Sequence, residues 1–311
     1  MCSIGVDVGG TKILAGVVAN DGTVVDVVRS RTPGRVDSPA VVENTLVDVV
    51  AKLRADHEVD AVGIGAAGFV GLDGVVRFAP HVAWRDEPLA ANLERRLGLP
   101  VYVDNDANTT ALAELRYGAA EGRREVLVLT LGTGIGGAVV MDGAVRRGSQ
   151  RLAGEFGHMQ VVPDGLLCPC GHRGCWEQYA SGTALVRAAI DAGAPQAVTG
   201  PEVSDAATSG VSWGEAAFAE VGRWLGTGLA GLVAGLDPEV VVIGGGLSAA
   251  GDLLLDPARA ALEERLPGRR HRTVPEVVAA ACGPEAGMIG AATLAREMTG
   301  KRPDDVAGSP A

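Results

Sequence analysis

Aromatic residues are scarce in this sequence, and long apolar runs and an excess of basic residues are missing from it. Phe, Trp and Tyr make up 4% of its 311 residues, and the net charge is −11. This acidic balance disfavours binding to nucleic acid or to an anionic membrane surface. Glycines and charged residues interrupt the apolar runs before they reach about 18 residues, the length of a membrane span. We therefore expect a globular protein that acts on small molecules.

The first residues also lack the pattern of a secretory leader. A basic stretch, an apolar core and a cleavage site are absent, and residues 4–8 are predicted to form a strand at once. Cysteines are few as well: three of the five lie within residues 168–175, which is a poor framework for disulfides. Both features lead us to expect a cytoplasmic protein with a metal site.

Glycine and valine are abundant, and the chain is long enough for two cores. With 311 residues, of which 47% are hydrophobic, it exceeds the usual size of a single core. We predict an α/β fold in two domains: a small domain over residues 1–110, a large domain with a metal site over 111–299, and a tail over 300–311. A helix over about 286–300 is expected to pack back on the first domain.

A pattern of strand, glycine loop and strand occurs twice. The first copy runs from a strand over residues 4–8 through Gly9-Gly10-Thr11-Lys12 to a strand over 13–19. The second runs from a strand over 126–131 through the glycine-rich residues 132–137 to a strand over 138–141. The repeated order and spacing predict a duplicated nucleotide-binding fold.

The first glycine loop offers several groups that bind phosphate. Gly9 and Gly10 let backbone N–H groups approach phosphate oxygens, while Thr11 and Lys12 add a hydroxyl and a positive charge. Asp7, at the end of the preceding strand, is suited to hold Mg²⁺ through water. Taken alone, such a loop is equally typical of a tight hairpin turn without a ligand.

The second copy favours the phosphate interpretation, because two such hairpins can hold a polyphosphate from both sides. Its candidate residues are Gly132, Thr133 and Gly134. A third glycine run, residues 244–246, follows a buried strand predicted over 240–243. This run is a candidate for the contact with adenosine, although a flexible connection between strand and helix is the commoner role of such a run.

The cluster Asp104-Asn105-Asp106 follows a strand predicted over residues 101–103. Open α/β sheets carry their ligand sites at the carboxyl ends of strands. Transfer of a phosphoryl group to a sugar needs a carboxylate that accepts the hydroxyl proton, and we predict this role for Asp106. Asn105, which both donates and accepts, suits a pair of neighbouring sugar hydroxyls. The alternative is that Asn105 or Asp106 only caps the next helix.

The most specific stretch contains one histidine and three closely spaced cysteines. His158, Cys168, Cys170 and Cys175 form the ligand set of a tetrahedral zinc site, and the glycines among them permit a sharp loop. Four protein ligands leave no open position, so the ion is predicted to be structural. His172 is an alternative fourth ligand, and buried free thiols are the alternative to any metal.

Two carboxylates flank the cysteine cluster along the chain. Glu155 precedes His158 by three residues, and Glu177 follows Cys175 by two. Folding around the metal is expected to bring these carboxylates together. There they can accept hydrogen bonds from the hydroxyls of a sugar.

Taken in order, these motifs resemble the ROK family, named for repressors, open reading frames and kinases. The resemblance covers nearly the whole chain, and its segments are 7–12, 105–106, 131–137, 155–158, 168–177 and 243–246. It implies two actin-like, ribonuclease-H-like α/β domains with the active site in the cleft between them. It also implies transfer of the γ-phosphoryl group of ATP to the 6-hydroxyl of a hexose, with glucose as the first candidate.

The resemblance also assigns roles at the sugar end of the site. Asp106 matches the family's catalytic base. The positions that match its sugar contacts are Asn105, Glu155, His158 and Glu177. His158 would bind zinc through one ring nitrogen and the sugar through the other.

At the nucleotide end, Thr11 and Thr133 with their neighbouring glycines match the phosphate loops of the family. Gly245 and Gly246 match the adenosine side. The implied ligands are ATP, Mg²⁺ and structural Zn²⁺, and the implied assembly is a homodimer or homotetramer. One departure is Phe156, at a position where the family frequently has glycine.

Other functions share these motifs. A repressor of the family would carry a DNA-binding module ahead of the first loop, but Asp7 already belongs to that loop and the acidic charge disfavours DNA. A sugar-sensing regulator without such a module and a polyphosphate-dependent kinase are further alternatives, although relatives that use polyphosphate generally lack the cysteine cluster. A kinase for fructose, mannose, allose or an N-acetylhexosamine is also compatible, because these sugars would meet the same ligands.

Overall fold

The computed structural model describes residues 2–299 and shows an α/β fold, which confirms the predicted class. The strands are β1 (Ser3–Val8), β2 (Lys12–Val18), β3 (Val24–Arg31), β4 (Val62–Ala66), β5 (Phe69–Val70), β6 (Val76–Phe78), β7 (Arg85–Glu87), β8 (Val101–Asn105), β9 (Val126–Leu131), β10 (Ile135–Met141), β11 (Ala144–Arg146), β12 (Val240–Gly244) and β13 (Glu276–Ala279). The helices are α1 (Pro39–Arg54), α2 (Leu89–Leu97), α3 (Asp106–Tyr117), α4 (Glu177–Ala180), α5 (Gly182–Asp191), α6 (Gly200–Thr208), α7 (Ser212–Leu236), α8 (Asp252–Arg265) and α9 (Ala286–Thr299). None of these helices of the described chain combines the length and apolarity of a membrane span.

The chain forms two compact units, each assembled from separate stretches. Among the described residues, the first contains Cys2–Gly122, Ala138–Gly154 and Ala281–Thr299. The second contains Arg123–Gly137 and Glu155–Ala280. This division differs from the continuous boundary expected near residue 110, because α3 runs through that position as one helix and the chain later returns to the first unit. The predicted tail, residues 300–311, lies outside the described residues.

A five-stranded sheet in the order β3-β2-β1-β4-β8 forms the centre of the first unit. β1 pairs antiparallel with β2 and parallel with β4, which pairs parallel with β8. Nearly all residues of β1 and β4 are buried, as expected for parallel strands that are covered on both faces. The register aligns Asp7, Gly65 and Asp104 in one row across the three parallel strands.

The second sheet repeats this arrangement. Its order is β11-β10-β9-β12-β13, with β10 antiparallel to β11 and with β12 parallel to both β9 and β13. In each sheet the chain first forms an antiparallel hairpin and then adds parallel strands through helical crossovers. The duplicated fold predicted from the two glycine hairpins is therefore confirmed.

Helix α9 packs directly on the backbone of the first sheet. A side-chain carbon added to Gly63 of β4 would lie 1.7 Å from the Ala291 carbonyl oxygen, and Gly5 of β1 is similarly close to α9. The helix also meets α3, since a carbon on Gly290 would lie 1.7 Å from the Thr109 carbonyl oxygen. Only glycine permits such approaches, and together they fix α9 against β1, β4 and α3.

Several short elements were not predicted from the sequence. β5, β6 and β7 have two or three residues each, which is too short for an alternating pattern to be visible, and they pair antiparallel in a separate small sheet. The helices α2 and α6 and the strand β13 were also not predicted. α8 begins at Asp252 and has Pro257 inside the helix.

A buried carboxylate, Asp104, ties the end of β8 to the loop after β11. Arg147 Nε donates to Asp104 Oδ2 at 2.6 Å, and Arg151 Nη2 lies 3.3 Å from Oδ1. Asn108 Nδ2 donates to Oδ1 at 3.1 Å. Burial alone would raise the pKa of Asp104, but the two guanidinium groups and Asn108 hold it below its usual range. The ion cluster therefore fixes the start of α3 and the loop together.

We expect Asp104→Asn to lower the free energy of unfolding by about 3 kcal/mol at neutral pH, because it removes one partner of a buried ion cluster. The estimate takes the lower end of the usual range, since the Arg147 side chain is 27% exposed. A lowered carboxyl pKa stabilises the fold above its ordinary value of 3.8, and this contribution is lost as the pH falls through the folded-state pKa. The difference in the free energy of unfolding between Asp104→Asn and the wild type should therefore become smaller below about pH 4. Thermal unfolding of both proteins across this pH range measures it.

Asp73→Asn is the matched control for this experiment. Asp73 pairs with Arg77 at 2.7 Å, but both side chains are about half exposed. Such a surface pair contributes less than about 1 kcal/mol. If Asp104→Asn unfolds no more easily than Asp73→Asn at neutral pH, the Asp104 cluster does not hold the first unit together.

Candidate functional site

The first glycine loop is the turn between β1 and β2. Gly9 N–H donates to the Lys12 carbonyl at 3.0 Å, and Thr32 Oγ1 donates to the Gly9 carbonyl at 2.7 Å. Thr11 and Lys12 are exposed. Internal hydrogen bonds therefore fix the turn, while the hydroxyl and the ammonium group of the loop remain accessible to a phosphate.

Asp7 lies at the end of β1, beside the first turn of α9. A side-chain carbon on Gly287 would lie 2.9 Å from the carboxyl carbon of Asp7. Burial raises the pKa of Asp7 to about 6, against the opposing effect of Lys12. A carboxylate in this environment gains from a nearby cation, which fits its predicted role of holding Mg²⁺ through water.

The predicted base, Asp106, is the first residue of α3, and Asn105 caps this helix. Asn105 Oδ1 accepts hydrogen bonds from the N–H groups of Ala107 at 2.9 Å and Asn108 at 3.3 Å. Its Nδ2 donates to the Gly68 carbonyl at 3.1 Å. The cap explains why α3 begins at Asp106. It leaves the second N–H of Nδ2 for a sugar hydroxyl.

The second glycine loop joins β9 to β10. Gly132 N–H donates to the Gly134 carbonyl at 3.0 Å, which closes the turn. Two bonds attach the loop to the start of α5: Gly182 N–H donates to the Gly132 carbonyl at 2.8 Å, and Thr183 Oγ1 donates to the Thr133 carbonyl at 2.9 Å. Like its counterpart in the first unit, this loop is held by its own backbone.

The third glycine loop follows β12 and lies against the second. Gly245 has a φ of +82°, and a side-chain carbon on it would lie 2.4 Å from the Leu131 carbonyl oxygen. A carbon on Gly182 would lie 3.2 Å from the Leu247 side chain. Among the described atoms, none lies within 4 Å of the corresponding point on Gly246. The two loops therefore share one surface, and Gly246 is an open position where a ligand can approach the backbone.

Three cysteines and a histidine of the second unit converge. The Sγ atoms of Cys168, Cys170 and Cys175 and a ring nitrogen of His158 all lie within 4.8 Å of one another. Cys170 Sγ is 3.6 Å from Cys175 Sγ, and Cys168 Sγ is 3.7 Å from His158 Nδ1. Zn–S bonds of about 2.3 Å place tetrahedral ligand atoms about 3.5–3.8 Å apart. These four side chains therefore fit a zinc ion.

The backbone of the cysteine loop turns sharply enough to bring the thiols together. Cys168 N–H donates to the His172 carbonyl at 2.8 Å, and Gly171 N–H donates to the Cys168 carbonyl at 2.9 Å. Gly171 and Gly174 have φ values of +94° and +76°, which favour glycine. The side chain of His172, the alternative ligand, is exposed and lies outside the group of four donors.

Glu177 connects the cysteine cluster to the second glycine loop. Its Oε1 is 3.5 Å from Cys168 Sγ, and its Oε2 accepts a hydrogen bond from Ile135 N–H at 3.4 Å. A side-chain carbon on Gly134 would lie 2.4 Å from Oε2. The position of this carboxylate therefore depends on the cysteine cluster and on the loop at once.

Glu155 belongs to the same neighbourhood. The N–H of His158 donates to the Glu155 carbonyl at 3.1 Å, so the two residues share one tight turn. Burial raises the pKa of Glu155; His158 opposes this shift, and the nearby charge of Glu177 adds to it. The structure thus brings Glu155, His158 and Glu177 together around the cysteine cluster.

Trp176 anchors the end of the cysteine cluster in the core of the second unit. Its side chain is fully buried, and Nε1 donates to the Trp224 carbonyl of α7 at 2.8 Å. Gly228 of the same helix leaves room for the ring, because a side-chain carbon there would lie 2.1 Å from it. The backbone N–H of Trp176 donates to the Met159 carbonyl at 2.8 Å, which ties the cysteine loop to the turn of His158.

The supporting residues of the site were missed by sequence reasoning. Asp104 stands in a predicted cluster but had no assigned role, and Arg147 and Arg151 lie in a basic run without a periodic pattern. Trp176 had only its position beside Cys175 as a signal. The only signal in the sequence for these supporting residues is their position next to a predicted motif.

Known proteins that are similar to this chain belong to the family that its motifs resemble. A model of the ROK family matches residues 3–298. The glucokinase of Streptomyces coelicolor is 45% identical to this chain, with 95% of this chain and 98% of the relative covered. The glucokinase of Halalkalibacterium halodurans is 36% identical, with 95% of each covered.

A solved structure shows the same fold. The crystal structure of a ROK family glucokinase from Streptomyces griseus, in complex with glucose and AMPPNP, matches with a TM-score of 0.88 at 44% identity. The match covers 96% of this chain and 100% of that one. The family match spans the glycine loops, the carboxylates at the strand ends and the cysteine cluster alike, and the chain therefore belongs to the ROK family.

Proposed function

We propose that the chain is an ATP-dependent glucokinase, which transfers the γ-phosphoryl group of MgATP to the 6-hydroxyl of glucose. The observation that carries this proposal is the similarity to the Streptomyces griseus glucokinase, whose crystal structure contains glucose and the ATP analogue AMPPNP. The similarity to the glucokinases of Streptomyces coelicolor and Halalkalibacterium halodurans, over nearly their whole lengths, supports it.

Asp106 is the proposed base. Its carboxylate accepts the proton of the 6-hydroxyl as the sugar oxygen attacks the γ-phosphorus and the bond to the bridging oxygen of ADP breaks. As the first residue of α3, Asp106 lies at the positive end of the helix dipole, which stabilises a carboxylate. The Asn105 cap and the Asp104 cluster hold the start of this helix. The Asp106 side chain therefore extends from a fixed backbone.

Asn105, Glu155, His158 and Glu177 are the proposed contacts of the sugar hydroxyls. The Nδ1 atom of His158 faces Cys168, which leaves Nε2 for the sugar. Glu155 and Glu177 accept hydrogen bonds from hydroxyl groups. The proposal requires these residues to bind the same sugar on which Asp106 acts.

The three glycine loops are the proposed nucleotide contacts. The phosphate contacts are Gly9, Gly10, Thr11, Lys12, Gly132, Thr133 and Gly134, and the adenosine contacts are Gly245 and Gly246. Asp7 would hold Mg²⁺ through water, and the ion supplies positive charge that offsets the charge developing on the phosphates.

A zinc ion is proposed to bind His158, Cys168, Cys170 and Cys175. Four protein ligands fill a tetrahedral shell, so the ion has a structural role. It keeps the turn of Glu155 and the segment that ends at Glu177 folded. The proposal further includes a cytoplasmic location, where MgATP is available, and assembly as a homodimer or homotetramer, as the family resemblance implies.

Purified protein should release ADP from MgATP only when a hexose is present, and fastest with glucose. A coupled assay over glucose, fructose, mannose, allose and N-acetylhexosamines, with a no-sugar control, measures this. Asp106→Asn should lower kcat by about 10²–10⁴-fold, because it removes the general base, while the affinity for Mg·AMPPNP stays unchanged.

Asp73→Asn, a surface carboxylate variant, serves as the control and should keep full activity. Preference for another hexose would change the substrate but keep the mechanism. Zinc-replete protein that releases no ADP in response to any sugar would rule out the kinase. Appreciable glucose phosphorylation by Asp106→Asn would show that Asp106 is not the base.

Metal analysis should find one zinc ion per chain, and Cys175→Ser should lose it. Loss of the ion should loosen the segment from Glu155 to Glu177, since metal binding and local folding are coupled. We expect proteolysis within this segment and a raised KM for glucose, before any effect on Mg·AMPPNP binding. Cys2→Ser, a cysteine outside the cluster, should retain zinc and the wild-type KM. Chelated, metal-free protein with full glucose affinity would contradict the proposed role.

A further inference from the structure

We infer that His81 is a further substrate-binding residue, whose imidazole donates a hydrogen bond to the terminal phosphate of the nucleotide. This inference rests on the proposed function and adds a residue that lies outside all the motifs identified above.

The imidazole of His81 lies against the first glycine loop. A side-chain carbon added to Gly10 would lie 2.8 Å from His81 Cβ, 3.2 Å from Cγ and 3.6 Å from Cδ2. His81 is exposed, so its ring is accessible from solvent beside the loop proposed to bind phosphate. A neutral imidazole carries one N–H in either tautomer, and this group can donate to a phosphate oxygen.

The loop that carries His81, residues 79–84, is held by Arg85 and by a backbone bond between its ends, in which Ala79 N–H donates to the Trp84 carbonyl at 3.3 Å. Arg85 Nη1 donates to the carbonyls of Ala79 at 2.6 Å, Val82 at 3.1 Å and Trp84. The side chains of Val82 and Trp84 are fully buried. A loop with a buried base and three bonded carbonyls presents the exposed His81 from a fixed backbone, as a binding group requires.

The same loop also reaches the sugar motif. Asn105 Nδ2 donates to the Gly68 carbonyl at 3.1 Å. Gly68 in turn lies against the start of the loop, since a side-chain carbon on it would be 3.0 Å from Ala79 Cα. His81 is therefore carried by a segment that contacts the phosphate loop at Gly10 and is linked through Gly68 to Asn105. In the proposed reaction, the phosphoryl group moves from the phosphate loop at Gly10 towards the sugar at Asn105.

The test compares His81→Leu, which removes the donor, with His81→Gln, which keeps an N–H group of similar reach. His57→Leu is the matched control, since His57 is the other histidine of the first unit described here and pairs with Asp26 at 3.1 Å. Mg·AMPPNP affinity is measured by calorimetry without sugar, and kcat and both KM values are measured with glucose. Thermal unfolding verifies that each variant is folded.

We expect His81→Leu to weaken Mg·AMPPNP binding and to lower kcat, with a combined loss in kcat/KM for MgATP of about 10- to 100-fold, the size of one hydrogen bond to a charged group. His81→Gln should recover most of both losses, and the KM for glucose should change less than about twofold in either variant. Unchanged nucleotide affinity and kcat in His81→Leu, or a change confined to the KM for glucose, would overturn the assignment.

The two proposals fail in distinguishable ways. Wild-type protein that phosphorylates no hexose, together with weaker Mg·AMPPNP binding in His81→Leu, refutes the glucokinase and retains His81 as a phosphate contact. Full glucose phosphorylation by both the wild type and His81→Leu, with equal nucleotide affinity, refutes His81 alone. Wild-type protein that does not bind Mg·AMPPNP refutes both.

Discussion

The contact of α9 with its neighbours determines where the chemistry of the first unit is placed. The helix approaches β4 and α3 so closely that a side-chain carbon on Gly63 or Gly290 would overlap a backbone carbonyl. β1, which α9 also contacts, ends at the first glycine loop, and α3 begins at Asp106. One helix near the end of the described chain thus sets the spacing between the first glycine loop and the proposed base. Residues far apart in the sequence are brought together by these backbone approaches and by apolar side chains such as Met288 and Ile289.

In the second unit, side chains position the residues of the candidate site. The second and third glycine loops meet at Gly182, Leu131 and Gly245. The carboxylates proposed to bind the sugar, Glu155 and Glu177, lie beside the cysteine cluster. Glu177 belongs to both arrangements, because it lies beside Cys168 and accepts a hydrogen bond from Ile135 N–H. A structural zinc ion would therefore affect the proposed reaction without taking part in it, by holding the Glu177 carboxylate beside the second glycine loop.

Features set by neighbouring residues could be predicted from the sequence, and features set by distant contacts could not. The glycine hairpins and the cysteine loop are local, since a few consecutive residues determine each turn. The bond between Arg147 and Asp104 spans 43 residues and joins the ends of strands from two different sheets, so it follows from tertiary structure. His81 is a lone histidine in a loop between two strands of three residues each, so its position beside Gly10 follows from tertiary structure alone.

Asp7, Gly65 and Asp104 form one row near the carboxyl ends of β1, β4 and β8. One carboxylate of this row stabilises the fold, and the other is proposed to hold a cation. Asp7 and Asp104 occupy equivalent positions on either side of Gly65, yet their environments shift their pKa values in opposite directions. Asp104 is surrounded by two guanidinium groups and contributes to stability. Asp7 is buried with less compensation, so its charged form costs folding free energy at neutral pH. A cation held at Asp7, as proposed, would offset that cost.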